Sequence, residues 1–439
     1  MGCSRRLPKR APVYLQFVFN AFALSTFVFI VSAHDAAAQR SRAGTTDWPS
    51  LQAFYSRIQK LEEAHPSIIH VEKIGVSTSL ALPLYAIKLS DNASQEEDES
   101  AILFSALHHA REPLGALLCM EMLERFSQAY DSDTAIKKLV DELEIWVVPI
   151  VNPDGYDYMS RNDLDFPWWR KNLRDNDGDG IFNPIFDGVD LNRNYDYNWR
   201  EGGEDNPASW FFRGGKPFSE NEIQAVKNLA LRENIVAGLS FHSYGEVVLF
   251  PWGNYLPPPD RALIQNVGKR LASRMRKLSG MSSYGVLPLN GRVGQSSVWM
   301  YGRLRAIDYI VELADAYFTR AQDTRTVMRE GMRGVRHFLG RALGAGLYGH
   351  VLDESTHQPV LAEILVTGYE ARHVSPRMSE TRYGRFERWL EPGVYTVVFQ
   401  ADGYMQSVWK EVLVGAKGRT ELEVYLKKIP SHVPLGNNE

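Results

Sequence analysis

Four places along the chain carry residue types that could share one reaction. The segment His108-His109-Ala110-Arg111-Glu112-Pro113 follows an apolar run and precedes a helix-like stretch. From a strand end and the start of the next helix, His109 and Glu112 can turn toward one point, and a neutral imidazole and a carboxylate are good zinc ligands. His108 is the competing register, but it has no acid three residues on. His242 closes a second apolar run, and a histidine at a strand tip could be a third ligand. Glu312 stands in Asp308-Tyr309-Ile310-Val311-Glu312-Leu313, where a carboxylate is costly unless it has a partner or a task. Such surroundings raise a carboxyl pKa toward the range of a general base. Two histidines and a glutamate with one open coordination position, beside a further acid, form the kit for metal-activated water.

The fourth place is a long segment, 152–198, that holds Asn152-Pro153-Asp154-Gly155-Tyr156, Trp169-Arg170-Lys171 and Asp190-Leu191-Asn192-Arg193-Asn194. Arginines beside aromatics either pack by cation–π contact or grip a carboxylate with two prongs. Between these motifs, Asp175, Asp177 and Asp179 with Gly180 imitate the first six positions of a calcium loop. The acid expected at position twelve is replaced by Phe186, with Asp187 one later. The alternatives are Ca2+ on these three aspartates and an acidic, solvated turn.

These residues need elements to hold them. Short, nearly all-apolar runs at 101–107, 145–151, 235–241 and 306–313 have the character of strands covered on both faces. Helical spacing lies between them at 113–130 and at 219–232, the latter opening with the capping-box pattern Ser219-Glu220-Asn221-Glu222. The alternation predicts an α/β fold: a mixed, mostly parallel sheet with helices on both faces. A helix over 314–343 closes it. Four short alternating segments after Gly346, at 348–352, 362–367, 393–399 and 421–426, predict a small all-β sandwich. The expected divisions are an export signal at 1–38, a catalytic domain at 39–345, the sandwich at 346–428 and a tail at 429–439.

Composition narrows the classes. The chain has 439 residues, 44% hydrophobic and 23% charged, with a formal net charge of -4. There is no basic excess to suggest nucleic-acid binding, and no composition typical of a disordered or polytopic membrane protein. Cys3 and Cys119 are the only cysteines, so a disulfide scaffold and a cysteine-rich zinc module are excluded. Residues 1–38 combine Arg5, Arg6, Lys9 and Arg10 with an apolar stretch and Ala36-Ala37-Ala38, which reads as a cleaved signal; a retained anchor is the alternative. The expected location is secreted or periplasmic.

The motifs together are recognisable. In their order, His109-Ala110-Arg111-Glu112-Pro113, Asn152-Pro153-Asp154-Gly155-Tyr156, Trp169-Arg170-Lys171, Asp190-Leu191-Asn192-Arg193-Asn194, His242-Ser243-Tyr244 and Glu312-Leu313 resemble the zinc metallocarboxypeptidases, the family of the pancreatic carboxypeptidases, over about residues 48–343. The phrases Pro392-Gly393-Val394-Tyr395-Thr396 and Ala401-Asp402-Gly403-Tyr404 resemble the transthyretin-like domain that follows the catalytic domain in the carboxypeptidase E/N/D branch. The resemblance implies that His109, Glu112 and His242 hold Zn2+ and that Glu312 activates the water and passes its proton to the leaving amine. It implies that Arg170 faces the oxyanion and that Asn192 and Arg193 hold the substrate's terminal carboxylate. Arg111 would line the same groove, with Ser297 in the side-chain pocket.

The implied activity is removal of C-terminal residues from peptides or proteins by a monomer, without nucleic acid, and without a membrane unless the signal is retained. A relative that cleaves cell-wall peptides or acyl and amide bonds, and a silent binding protein on the same scaffold, are the competing readings. Two departures stand out. The family's mobile tyrosine falls on Asn290 or Leu287, with Tyr284 nearby, and the pocket loop 292–298 differs from the usual Gly-rich phrase. With Ser297 in the loop and Arg292 as its nearest charge, apolar or acidic terminal residues are expected over basic ones.

Overall fold

The computed structural model describes residues 48–161, 167–252, 256–289 and 293–430. The predicted signal lies outside them, as do Asn290 and Arg292. An eight-stranded sheet is built from β1 (Ile69–Val76), β2 (Pro83–Leu89), β3 (Ser100–Ala106), β4 (Leu143–Val148), β5 (Ala237–Ser243), β6 (Val247–Phe250), β7 (Gly285–Pro288) and β8 (Ile307–Leu313), in the order β1-β2-β4-β3-β5-β8-β6-β7. Its centre, β4-β3-β5-β8, is parallel, while β1, β2 and the β6–β8 pair run antiparallel. The central strands β3, β4 and β5 are buried at every position, which is why they read as unbroken apolar runs and not as alternating ones. The α/β expectation holds, with helices packed on the sheet.

The helices bring chemistry to the strand ends. Helix α1 (Leu51–Ala64) starts at Ser50, whose Oγ accepts the Ala53 N–H at 3.2 Å. Helix α2 (Leu114–Ala129) begins two residues after Glu112 and lies close on the sheet. A Cβ at Gly115 would stand 2.9 Å from the Phe241 Cβ and 3.0 Å from the Ala106 Cβ, so only glycine lets the first turn of α2 press onto β3 and β5. Short α3 (Thr134–Asp141) and α4 (Pro153–Arg161) precede α5 (Asn221–Arg232), α6 (Arg261–Ser273), α7 (Ser296–Leu304) and α8 (Ala321–Ala342).

Two expectations change. The capping box does not form: Glu220 is the N-cap of α5 with no side-chain cap bond, Ser219 Oγ is engaged by Asn194 and Glu220, and Thr78 Oγ1 accepts the Asn221 N–H at 3.0 Å. The predicted helix at 314–343 starts only at Ala321, because the first residues after β8 form an irregular turn around Tyr317.

From Gly346 onward the chain is β. Strands β9 (Gly346–Asp353), β10 (Glu363–Val366), β11 (Arg377–Met378), β12 (Arg385–Trp389), β13 (Gly393–Gln400), β14 (Ser407–Val414) and β15 (Arg419–Leu426) form two sheets, β11-β10-β13-β14 and β12-β9-β15. Leu347, Val351, Ile364, Phe386, Phe399 and Val424 belong to a second apolar core, separate from that of the large sheet. Polar ties join the two parts. Buried Arg377 donates to the Asn234 and Ile235 carbonyls at 2.7 and 2.8 Å, to Leu304 O at 3.0 Å and to Glu387 O at 3.0 Å. It therefore caps the chain ends of α5 and α7 from the β side. Arg305, just past α7, pairs with Asp260 at 3.0 Å and with Glu370 at 2.8 Å.

Replacing Arg377 by Met strands several buried carbonyls. Each unsatisfied buried acceptor costs about 1–3 kcal/mol, so an overall loss of about 3 kcal/mol is expected in denaturant unfolding. An unchanged midpoint would mean that the tie contributes nothing.

His350 on β9 sits between Asp98 and Glu423, and its hydrogen bond to Asp98, 2.7 Å long, is the main reason that its pKa rises to about 9. The raised value means the interaction stabilises fully below the unfolded pKa of about 6.5 and is lost as pH climbs through about 9. The stability deficit of His350→Gln against the parent should thus be largest at pH 6 and shrink by pH 10. A deficit independent of pH would contradict the pairing.

Candidate metal and catalytic site

The parallel register sets the site. In the β5–β8 pairing His242 lies opposite Glu312, so both side chains leave the same face of neighbouring strands. Ala106 is paired with Phe241, and the chain leaves β3 through Leu107, which is buried and left-handed at φ +59°, before presenting His108 and His109. Strained backbone of this kind persists where the surroundings over-determine it.

His109, Glu112 and His242 converge as expected. His109 Nδ1 lies 2.9 Å from Glu112 Oε1, His242 Nδ1 lies 2.9 Å from Glu112 Oε2, and the two Nδ1 atoms are 3.1 Å apart. All three residues are buried. Two neutral imidazole nitrogens cannot both bond each other and the carboxylate, whereas a cation between them satisfies all three at once. The spacing suits donors about 2.0–2.2 Å from one ion, so the donor set fits zinc. Burial alone would raise the Glu112 carboxyl, but the histidines beside it hold it well below the usual range, ready as an anionic ligand. The backbone N–H of Ser243 also donates to Glu112 Oε2 at 3.2 Å.

Asp190, quoted in a motif but given no role by the sequence, proves to be a hub. Its Oδ1 lies 3.1 Å from His109 Nε2, and its Oδ2 accepts from Arg170 Nε and Nη2 at 2.9 and 2.8 Å. Burial would raise its pKa, yet Arg170, Arg193 and His109 outweigh that and hold it well below the usual carboxylate range. A charged Asp190 accepts the His109 Nε2–H and leaves the Nδ1 lone pair for the metal.

A cavity of about 400 Å³ opens over these ligands, and its walls include Arg170, Asn192, Arg193, Glu312 and Tyr317. Asn192 is set by the short turn Leu191–Arg193, capped by Asp190, and its Oδ1 accepts the Ser296 N–H at 2.9 Å. Leu249, Leu289, Ile310 and Gln295 add a mostly apolar recess, and Glu204 and Phe211 stand on the same cavity wall.

Two expected positions move. Ser297 is fully buried and does not line the cavity; because α7 begins at Ser296 with Gln295 as its N-cap, Gln295 is the side chain that reaches in. Arg111 is not among the lining residues either: its guanidinium lies 4.5 Å from the centre of the Tyr317 ring and donates to Trp168 O at 3.1 Å. Tyr284, near the places where the family's mobile tyrosine falls, is buried, and its hydroxyl accepts the Ala314 N–H at 3.3 Å. Tyr244 and Tyr317, in contact edge to face, are the tyrosines that line the cavity.

The acidic loop groups Asp175 and Asp177 with Asp187, not with Asp179. Its carboxylates accept the loop's own N–H groups, Asp175 from Gly178 and Gly180, and Asp187 from Asn176 and Asn183. The turn is held by these bonds, and Ca2+ on Asp175, Asp177 and Asp179 is not supported, since Asp179 lies outside the group.

With this geometry in place, comparison with known proteins is direct. The sequence profile of zinc carboxypeptidases (peptidase M14) matches residues 54–334, and the chain belongs to that family. It is 32% identical over 236 residues to mast cell carboxypeptidase A of Rattus norvegicus, covering 53% of this chain and 54% of the relative. It is 28% identical over 289 residues to a zinc carboxypeptidase of Saccharothrix mutabilis subsp. capreolus, covering 62% and 64%. The chain thus spans between about half and two thirds of the length of these curated relatives. Among solved structures, bovine thrombin-activatable fibrinolysis inhibitor in complex with tick carboxypeptidase inhibitor superposes with a TM-score of 0.58 at 25% identity, over 67% of this chain and 96% of that one.

Asp190→Asn keeps the shape but removes the charge that fixes the His109 tautomer. Zinc affinity, measured by chelator competition, should fall about 10–100-fold. Unchanged affinity would separate Asp190 from the metal site.

Proposed function

We propose that this protein is a zinc metallocarboxypeptidase that hydrolyses the C-terminal peptide bond of peptides or proteins. The observation that carries the reading is one cavity lined by the three converging ligands, a glutamate on the next strand, and Arg170, Asn192 and Arg193. Bound zinc would polarise the scissile carbonyl and lower the pKa of a water. Glu312 takes the proton of the attacking water and returns it to the leaving amine. Arg170, held by Asp190, faces the carbonyl oxygen, where negative charge grows. Arg193 and the Asn192 amide receive the terminal carboxylate, whose burial needs a cationic partner. The recess of Leu249, Leu289 and Ile310 takes the terminal side chain, so apolar residues are favoured there. That recess and the neutral Gln295 replace Ser297 as the reason to expect weak use of basic residues.

The remaining parts of the reading follow from sequence. Residues 346–428 are a transthyretin-like sandwich of the kind found in the E/N/D branch, tied to the catalytic domain through Arg377 and Arg305. The protein is secreted or periplasmic and acts as a monomer. No helix among the described residues is long and apolar enough to cross a membrane.

Glu312→Gln should keep zinc and fold while lowering the turnover rate by roughly two to four orders of magnitude; near-normal turnover would remove Glu312 from the mechanism. Blocking the substrate carboxylate as an amide should cost about 2–5 kcal/mol in kcat/KM. On peptides ending in Phe, Glu and Lys, the Phe substrate should be fastest. A clear preference for Lys would mean that Glu204, on the cavity wall, governs the terminal side chain.

A further inference from the structure

His108 loses the competition to be a ligand, yet it is fully buried directly behind the site. Its ring stacks on that of His242, centroids 5.4 Å apart and planes 21° apart. Ser240 Oγ lies 3.2 Å from His242 Nε2 and 3.5 Å from His108 Nδ1, and His108 Nε2 lies 2.9 Å from the Tyr195 hydroxyl. Ser240 and Tyr195 are buried as well. The four side chains form one line from the metal site into the core.

The direction of that line matters, because His242 can present Nδ1 to a metal only if its hydrogen is on Nε2. The Asn192 amide nitrogen also stands 3.2 Å from Nε2, but it is a donor, and its orientation is fixed because Oδ1 already accepts from Ser296. Asn192 therefore favours the wrong tautomer, with a lone pair on Nε2 and hydrogen on Nδ1. Of the two side chains bonded to Nε2, only Ser240 Oγ can accept. A serine hydroxyl donates one hydrogen, and it offers His242 a lone pair reliably only if that hydrogen goes elsewhere. His108 Nδ1 is the acceptor for it, and the His108 Nε2–H then donates to the Tyr195 oxygen.

We propose that His108 is a positioning residue for the metal: by taking the Ser240 hydrogen it locks His242 in the tautomer that binds zinc through Nδ1. This rests on the zinc reading above and adds a second-ligand counterpart to Asp190. His109 is fixed by a charged carboxylate, whereas His242 is fixed by a neutral hydroxyl whose direction another imidazole sets. The arrangement spares the site a second buried negative charge.

The test is zinc affinity of the full chain by chelator competition, with the visible spectrum of the cobalt-substituted protein as a second readout. His108→Leu fills the space but accepts no hydrogen, and Ser240→Ala removes a single oxygen. Each should weaken zinc about 10–100-fold and shift the cobalt bands. His108→Gln, whose side-chain carbonyl can accept, should recover much of the affinity lost in His108→Leu. If His108→Leu does not fold, the Ser240→Ala arm decides alone. Affinity within twofold of the parent in the folded variants overturns the role of His108, while failure of the parent chain to bind zinc overturns the metallopeptidase reading beneath it.

Discussion

Two imidazole nitrogens 3.1 Å apart, each 2.9 Å from one carboxylate and all out of water, make an arrangement that is sound only around a cation. Much else in the molecule serves to hold them there. The two histidines and Glu312 come from the carboxyl ends of three adjacent parallel strands, which is where open α/β sheets place their ligands. Glu112 arrives by the tight seating of α2, which Gly115 permits. His242 and Glu312 are set by the sheet's main-chain hydrogen bonds, while His109 and Glu112 sit on the short segment between β3 and α2, held by the Ala110 N–H to Arg170 O and Glu112 N–H to His109 O bonds.

A second layer turns that frame into chemistry. Asp190 serves two walls of the cavity with a single charge, since one oxygen contacts His109 and the other fixes Arg170. The same turn carries Asn192 and Arg193, so both are registered to Asp190 within three residues of chain. Support reaches further through α7. Its N-terminal end offers the Ser296 N–H to Asn192, and its C-terminal end is capped by Arg377 from the β-sandwich. The sandwich thus braces α7, and none of its described residues lines the cavity.

Much of this was legible in the sequence, for definite reasons. His109, Glu112, His242 and Glu312 stood out because each interrupts or ends an apolar run, and a polar group there needs a purpose. The central strands were visible because burial on both faces leaves no alternation. The partly exposed β1, the four-residue β6 and β7, and β2, whose run is broken by Lys88, carry no such signal. At the pocket the sequence points to Ser297 where the structure has Gln295, because which side chain enters depends on where α7 begins, and two positions along a helix turn a side chain by about 200°. Asp190 and His108 were hidden for another reason: their roles lie in contacts with residues 81 and 132 positions away, which no local pattern records. In the acidic loop the local pattern picks out Asp175, Asp177 and Asp179, whereas the fold gathers Asp175 and Asp177 with Asp187 and engages them with the loop's own backbone.

The sharpest measurement is anomalous diffraction at the zinc absorption edge from crystals of the purified protein. A single strong peak should lie about 2.0–2.2 Å from Nδ1 of His109, Nδ1 of His242 and the carboxylate of Glu112, with Glu312 beside the open coordination position. A peak bound instead through His108 or Nε2 of either ligand, or no peak after zinc is supplied, would contradict the site described here.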